Sequence, residues 1–245
     1  MTATDGGRDL VRCVEVARTY GRGAAAVVAI HAMSCVVPPA ARVAVTGPSG
    51  SGKSTLLHLL AGLDRPSAGT IEWPGLGGDP VDRPGTVGFV FQGPSLLPPL
   101  DVSENVELPL LLAGFAASEA RERSSQALAM VDAVELAGRL PEELSGGQAQ
   151  RVAVARVLAC RPRLILADEP TGQLDAGHRD QVVRALIESA AHLGASLVVA
   201  THDVAVANQL STQWQMRDGR LTCAEEPARV PHQAFYPVSD PGESC

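Results

Sequence analysis

The feature that most constrains this chain is a glycine-rich loop between a predicted strand and a predicted helix. The segment "GPSGSGKST", Gly47 to Thr55, fits the phosphate-binding pattern G-x-x-x-x-G-K-[ST]. The β-branched run Ala41–Gly47 predicts a strand, and the run Ser54–Leu63 has apolar residues at helical spacing with a glycine near its end. This order predicts an α/β fold with a phosphate site at one edge of its sheet.

The residues of this loop have separate tasks in binding a nucleotide. Its glycines let successive backbone N–H groups turn toward a β-phosphate, and the following helix adds the positive end of its dipole. Lys53 would reach the β- and γ-phosphates, and the Ser54 hydroxyl would bind Mg²⁺. We therefore predict that the loop binds its nucleotide through Gly47, Pro48, Ser49, Gly50, Ser51, Gly52, Lys53, Ser54 and Thr55.

A second motif carries acidic residues at the end of a buried strand. The segment "LILADEP", Leu164 to Pro170, is apolar until Asp168 and Glu169. Because ligands of open α/β sheets lie at the carboxyl ends of the strands, Asp168 is predicted to hold Mg²⁺ through water. Glu169 is predicted to act as general base on the attacking water. Alone, the two acids could merely cap the turn at Pro170; with the glycine-rich loop they indicate a P-loop NTPase.

A third motif, "LSGGQ", Leu144 to Gln148, has the small residues of a phosphate-binding loop but no lysine. Alone, it could be an ordinary helix start with Ser145 as N-cap. In the company of the two motifs above it resembles the signature of the ATP-binding cassette (ABC) ATPases. The resemblance extends from about Val11 to Leu221, and it implies ATP hydrolysis with ATP and Mg²⁺ as ligands.

The resemblance also explains why one chain would carry two sets of phosphate-binding donors. In ABC proteins two cassettes pair head to tail, and the signature loop of one closes over the ATP on the P-loop of the other. By this resemblance, Ser145, Gly146, Gly147 and Gln148 would bind the partner's nucleotide, with a helix N-terminus facing its γ-phosphate. We therefore expect a second ATPase subunit as partner, in a homodimer.

Further positions match the family in order. Tyr20 resembles the adenine-stacking aromatic, and Gln92 in "GFVFQ" resembles the glutamine that binds Mg²⁺ and senses the γ-phosphate. His202, after "SLVVAT", resembles the switch histidine that contacts the γ-phosphate and places Glu169. The D-loop, "TGQLD" at residues 171–175, resembles the segment that meets the partner cassette. The resemblance thus implies catalytic roles for Glu169, His202 and Lys53, and metal-binding roles for Ser54, Gln92 and Asp168.

The alternation of buried strands and helices predicts an α/β architecture, and the resemblance makes it a P-loop ATPase of the ABC type. It would have a mostly parallel sheet, an antiparallel β-subdomain and an inserted helical subdomain at about residues 93–156. We place the single domain at residues 8–223 and expect the Pro-rich tail, residues 224–245, to be loosely ordered.

Within that architecture, prolines and turn signals divide the chain into elements. The apolar run 24–37 is expected to break near His31, and Pro98, Pro99 and Pro109 are expected to keep their helices short. The pattern predicts helices over residues 118–138 and 181–193, and a hairpin turn at "RDGRL".

Composition limits the partners. A formal net charge of -7 argues against a broad DNA- or RNA-binding surface. The five cysteines form neither a CxxC pair nor, with histidines, a metal site. No apolar run is long enough for a membrane-spanning helix. We therefore expect no direct membrane insertion, and a cytoplasmic subunit held at the inner face of the membrane by an integral-membrane permease.

Longer segments suggest a branch of the family. "LLPPLDVSENVELPLLLAG" and "LADEPTGQLD" resemble the branch that contains LolD, MacB and FtsE, which favours an exporter of the lipoprotein-release or macrolide-efflux type. The alternatives are an FtsE-like regulator that moves nothing, a soluble ABC ATPase of DNA repair or translation, and a non-hydrolysing cassette. The region Phe91–Gly114 is expected to receive the permease's coupling helix, although its apolar residues could equally be core.

The chain departs from that branch at three places. Only a short turn-rich segment fills residues 72–88, where the branch usually has a longer stretch with a basic helix. Gln173 stands where asparagine is usual, and Ala149 where a longer polar residue is common. None of these departures removes a predicted phosphate, metal or base group.

Overall fold

In a computed structural model, which describes residues 9–172 and 174–222, a six-stranded sheet forms the centre of the fold. Its strand order is β5-β6-β7-β3-β8-β9, parallel except for the hairpin partner β9. The strands are β3 (Arg42–Thr46), β5 (Val87–Val90), β6 (Leu164–Asp168), β7 (Ser196–Thr201), β8 (Thr212–Arg217) and β9 (Arg220–Thr222). Residue 173, both predicted domain boundaries and the predicted tail lie outside the described residues.

A separate antiparallel sheet has the order β2-β1-β4, with β1 at Val11–Tyr20, β2 at Val27–Val37 and β4 at Ala68–Glu72. The predicted break near His31 is wrong, because β2 is a single strand across this residue, although its pairing with β1 shifts register between Ile30 and Met33. The His31 N–H donates to the Gly219 carbonyl in the β8–β9 hairpin at 2.8 Å. This hydrogen bond joins the two sheets without interrupting the strand.

Six α-helices complete the described fold: α1 (Lys53–Leu60), α2 (Val102–Leu112), α3 (Ala117–Met130), α4 (Gly146–Ala159), α5 (Ala176–Leu193) and α6 (Val204–Ala207). The expectation that Pro109 limits its helix is wrong, because the 11-residue helix α2 contains Pro109 and continues to Leu112. A capping box of Asp101 and Glu104 begins the helix, and the buried residues Val106 and Leu110 hold it in the core on both sides of the proline. None of the helices in the described part combines the length and hydrophobicity that a bilayer crossing needs.

Two other helix boundaries differ from the sequence prediction. Helix α3 ends at Met130 and not at 138, and Asp132 follows with a left-handed backbone (φ 51°). Helix α5 begins at Ala176 and not at 181, because the Asp175 carboxylate accepts from the His178 N–H at 3.1 Å and caps it. This cap brings the start of α5 next to the D-loop.

The core lies on both faces of the central sheet. Strand β6 shows the division, since Ile165 and Ala167 face the helical side while Leu164 and Leu166 face α1 and the antiparallel sheet. Ala, Val and Leu dominate both clusters. A strand that is buried on both faces is apolar throughout, which is why β6 and β7 could be recognised from the sequence.

Candidate active site

The glycine-rich loop joins β3 to α1, and its neighbours fix its backbone. Gly47 has φ 151°, and a Cβ there would lie 2.1 Å from the Met216 carbonyl oxygen of β8. Gly52 has φ 101°, and a Cβ there would lie 2.5 Å from the Ala29 carbonyl oxygen of β2. Only glycine fits at either position, so the two sheets together set the shape of the phosphate-binding loop.

Lys53, the first residue of α1, is turned back over this loop. Its ammonium donates to the Gly47 carbonyl at 2.9 Å and to the Pro48 carbonyl at 3.1 Å. The Lys53 Nζ also lies 3.6 Å from Glu169 Oε1, and the lysine side chain is only 7% exposed. The ammonium is therefore placed between the loop and the acidic end of β6.

Glu169 connects that lysine to the predicted switch histidine. The Glu169 Oε2 lies 2.9 Å from His202 Nδ1, and the Glu169 N–H donates to the Ala200 carbonyl of β7 at 2.9 Å. The Glu169 backbone is left-handed (φ 45°), a costly conformation for a non-glycine residue that often marks functional sites. Of the predicted residues, the fold thus brings Lys53, Glu169 and His202 into one chain of contacts.

Asp168 ends β6 one residue before Glu169. Its Oδ1 is buried and has no hydrogen-bond partner among the described residues. Ser54 and Gln92, the other predicted metal ligands, are exposed. Hydroxyl, amide and carboxylate oxygens are donors that suit Mg²⁺, and a buried carboxylate oxygen without a protein partner fits a role toward such a cation.

Gln92 follows β5 in a loop that helix α4 holds by its backbone. The Gln150 side chain, 2% exposed, donates to the Phe91 carbonyl at 3.1 Å, and Arg156 donates to the Ser95 carbonyl at 2.9 Å. The sequence analysis missed Gln150 and Arg156; their position on the helix after "LSGGQ" is the signal that could have pointed to them. A cavity of about 70 Å³ joins this loop to the signature and the D-loop, and it is lined by Gln92, Pro94, Gly146, Gln150, Pro170 and Leu174.

The signature loop begins α4 and is held by its own helix cap. The Ser145 hydroxyl accepts from the Gln148 N–H at 3.3 Å, and the Gln148 side chain accepts from the Ser145 N–H at 2.9 Å. Ser145 and Gly146 are exposed. Within the described residues, no hydrogen bond or ion pair links this loop to the phosphate-binding loop. The fold therefore does not join the predicted nucleotide ligands into one contact network.

Gly147 is the buried member of the signature loop. A Cβ on Gly147 would lie 2.7 Å from the His178 ring, so α5 packs directly beneath the loop. The His178 Nδ1 lies 2.7 Å from Asp175 Oδ2. Hydrogen bonds from the backbone N–H and the imidazole of His178 lower the pKa of Asp175. The sequence analysis missed His178, which no local pattern distinguishes.

Tyr20 ends β1 in the antiparallel sheet and is 39% exposed. Its cross-strand partner is Val27, two residues before Ala29, which abuts Gly52. The sheet that carries Tyr20 therefore packs against the phosphate-binding loop, although no direct contact joins Tyr20 to the catalytic residues described above.

The parallel sheet, the glycine-rich loop and the acidic end of β6 define the class of P-loop ATPases. A family model described as "ABC transporter" matches residues 30–172, more than half of the chain. The chain belongs to the ABC transporter family, so the predicted fold class and ATPase activity are confirmed.

Solved structures agree with this assignment. A dimeric structure of MJ0796, a bacterial ABC transporter cassette, has 35% identity and a TM-score of 0.78, covering 86% of this chain and 96% of that chain. A post-hydrolysis dimer of MJ0796 with ADP and Pi has 34% identity and a TM-score of 0.77, covering 88% and 99%. CbiO1 from Clostridium perfringens, part of the transporter complex CbiONQ, has 27% identity and a TM-score of 0.78, covering 87% of each chain.

Proposed function

We propose that this chain is the ATP-hydrolysing subunit of an ABC transporter, and that two copies close around two ATP molecules to drive a separate membrane permease. One observation carries the proposal. The contacts from Lys53 through Glu169 to His202 join the proposed catalytic residues within the chain, whereas Ser145 and Gly146 are exposed and, among the described residues, have no hydrogen bond or ion pair with those three. Such a loop is suited to the nucleotide of a second copy.

Phosphate binding is the first task of the centre. The loop N–H groups and the N-terminus of α1 attract the triphosphate. In the structure the Lys53 ammonium donates to two loop carbonyls. When ATP binds, it would donate to the β- and γ-phosphates instead. Ser54, Gln92 and Asp168 would hold Mg²⁺, which stabilises developing charge on the phosphate oxygens when bound.

Activation of water is the second task, and Glu169 is the group positioned for it. His202 contacts Oε2 of the carboxylate, and Lys53 Nζ lies 3.6 Å from Oε1. Once the ammonium turns to the phosphates, Oε1 would be the oxygen that accepts a proton from the attacking water. The left-handed backbone of Glu169 and its hydrogen bond to β7 hold the carboxylate in this place. A second role for His202, contact with the γ-phosphate, is compatible with its 68% exposed side chain.

Closure by a second copy completes the proposed site. The MJ0796 cassette at 35% identity is dimeric. In the same arrangement here, Ser145, Gly146, Gly147 and Gln148 would face the γ-phosphate on the partner's loop, with the α4 N-terminus behind them. Because ATP would then be part of the interface, hydrolysis is expected to loosen the dimer.

A membrane permease is the proposed second partner. CbiO1 is part of the transporter complex CbiONQ, a precedent for a cassette within a larger transporter assembly. In this chain, Phe91 is 45% exposed and Leu112 is 79% exposed, at the two ends of the region proposed to receive a coupling helix. We propose an exporter of the LolD or MacB type, working at the cytoplasmic face of the membrane.

The variant Glu169→Gln tests the hydrolytic assignment. It should abolish ATP turnover yet form a dimer with Mg²⁺ and ATP, as measured by phosphate release and by light scattering after gel filtration. Glu135→Gln, an exposed glutamate in a separate turn, is the control and should behave as wild type. Normal turnover by Glu169→Gln, or a monomer under all nucleotide conditions, would contradict the proposal.

The permease assignment needs a separate experiment. The membrane protein that co-purifies with the tagged chain should be reconstituted with it in vesicles, and ATP-dependent movement of a lipoprotein or a hydrophobic drug should follow. ATP turnover stimulated by the membrane partner without any transport would favour the FtsE-like regulator instead.

A further inference from the structure

The Tyr20 side chain is fixed by two charged residues that the motif analysis did not single out. Its hydroxyl donates to Asp64 Oδ2 at 2.7 Å. The Arg18 guanidinium binds both oxygens of the same carboxylate, with Nε 2.8 Å from Oδ2 and Nη2 2.7 Å from Oδ1. Asp64 thus holds the tyrosine and the arginine together.

Arg18 also covers one face of the tyrosine ring. Its guanidinium carbon lies 4.5 Å from the ring centroid, within the range of a cation–π contact. A planar base cannot stack on a face that is already occupied. The opposite face of the Tyr20 ring is the one left for a nucleotide base.

The position of Asp64 ties this cluster to the phosphate-binding helix. Helix α1 starts at Lys53, and the turn after it closes through the His58 carbonyl, which accepts from the Leu63 N–H at 2.9 Å and the Asp64 N–H at 3.3 Å. Next along the chain, the Ser67 N–H donates to the Ala17 carbonyl of β1 at 2.7 Å. One continuous segment therefore carries the phosphate loop at one end and the tyrosine's anchor at the other.

The charge state of Asp64 suits this role. Partial burial raises its pKa, but the hydrogen bonds from Tyr20, from the Arg65 N–H and from Arg18 outweigh that effect and leave the pKa below its ordinary value. The carboxylate is therefore ionised at neutral pH and can accept from Tyr20 and Arg18 at the same time.

We propose that Arg18 and Asp64 are positioning residues for the nucleotide base: they hold the Tyr20 ring in one orientation, with its face opposite Arg18 presented to a purine. The inference rests on the proposed function, since it needs Tyr20 to be the base platform. Locking one side chain before binding removes an ordering cost, and its loss should weaken ATP binding by about 2- to 10-fold.

The test compares a ligand that has a base with one that has none. The dissociation constant of ATP and that of inorganic tripolyphosphate are measured by calorimetry for wild type, Arg18→Ala, Asp64→Ala and Tyr20→Phe. Asp64→Asn is a milder variant in case Asp64→Ala does not fold. Asp79→Asn is the matched control, because Asp79 pairs with Arg65 at 2.6 Å and, in the described structure, forms no hydrogen bond or ion pair with Tyr20.

In the three test variants we expect ATP to bind about 2- to 10-fold more weakly, with tripolyphosphate binding unchanged and the defect in KM rather than kcat. An equal loss for ATP and tripolyphosphate would overturn the proposal, since the residues would then only support the fold. Tighter ATP binding by Arg18→Ala would overturn it too, because Arg18 would then occupy the face that the base needs.

Tyr20→Ala separates failure of this inference from failure of the proposed function. It should weaken ATP about 5- to 100-fold, because the stacking platform itself is lost, and leave tripolyphosphate binding unchanged. If Tyr20→Ala has this effect while Arg18→Ala and Asp64→Ala do not, only the positioning role is wrong. If Tyr20→Ala leaves ATP binding unchanged, the assignment of Tyr20 as base platform fails with it.

Discussion

The phosphate-binding loop and the signature loop both place glycines at the start of a helix, yet the fold treats them differently. The phosphate-binding loop lies between two sheets, and backbone carbonyl oxygens of β2 and β8 lie 2.5 and 2.1 Å from where Cβ atoms of Gly52 and Gly47 would be. The second is exposed at Ser145 and packs on a side chain, His178. The core therefore fixes the shape of the phosphate-binding loop, whereas the signature loop begins at the protein surface.

Their side-chain chemistry differs in the same way. The Lys53 side chain is 7% exposed, and its ammonium donates to the phosphate-binding loop and lies 3.6 Å from Glu169. Two of the proposed catalytic groups are therefore already next to each other. The side-chain hydrogen bonds of Ser145 and Gln148 within the described residues cap their own helix. A complete nucleotide site would join one loop of each kind, and in the part of the chain that the structure describes no hydrogen bond or ion pair links the two loops.

The largest effect is expected from Lys53→Ala. It removes the ammonium that would bind the β- and γ-phosphates, so kcat/KM for ATP should fall about 10²- to 10³-fold. Steady-state phosphate release measures the loss, and a melting temperature near that of wild type would show that the fold survives. Activity within a few-fold of wild type would mean that the loop does not bind the triphosphate as described.

A pair of glycine variants tests how strongly the core shapes the first loop. Gly52→Ala combines a left-handed backbone with a backbone clash and should lower the free energy of unfolding by about 2–4 kcal/mol. Gly50→Ala has the left-handed backbone (φ 77°) but open space, so about 1–2 kcal/mol is expected. Urea unfolding curves of both variants give the comparison, and equal losses would show that contact with β2 is unimportant.

The smallest effect concerns the second loop. Gly147→Ala places a methyl group against the His178 ring, which should cost about 1–2 kcal/mol of folding stability, because a side chain can move where a backbone cannot. His178→Ala in the same chain should remove most of that cost. A double-mutant cycle measures the coupling. Additive losses of unfolding free energy would show that there is no steric conflict between the two side chains.

The sequence predicted those parts of the molecule that depend on local pattern. The phosphate-binding loop has a fixed spacing, and β6 is apolar because both its faces are buried, so both could be located without a structure. The start of α5 could also have been predicted from the sequence, since Asp175 is a normal N-cap residue. The fold class and the ATPase activity are confirmed, while the individual site roles stay predictions.

Other features depend on contacts between segments that are distant in sequence, and no local sequence pattern predicts them. Helix α2 tolerates Pro109 because its neighbours pack against the core on both sides. The side chains of Gln150 and Arg156 donate hydrogen bonds to backbone carbonyls of a loop about 60 residues earlier in the chain. His178 matters only because the fold places it under Gly147. In each case tertiary packing decided what local preference left open.

The most direct test of the central claim mixes two defective chains. Lys53→Ala damages the phosphate-binding loop. Ser145→Asp keeps a good N-cap residue and adds a negative charge where the partner's γ-phosphate is proposed to lie. A dimer of one of each has one intact composite site, so mixing equal amounts should restore ATPase activity to up to about a quarter of the wild-type value. Activity in the mixture no higher than the average of the two separate variants would contradict a site shared between two copies.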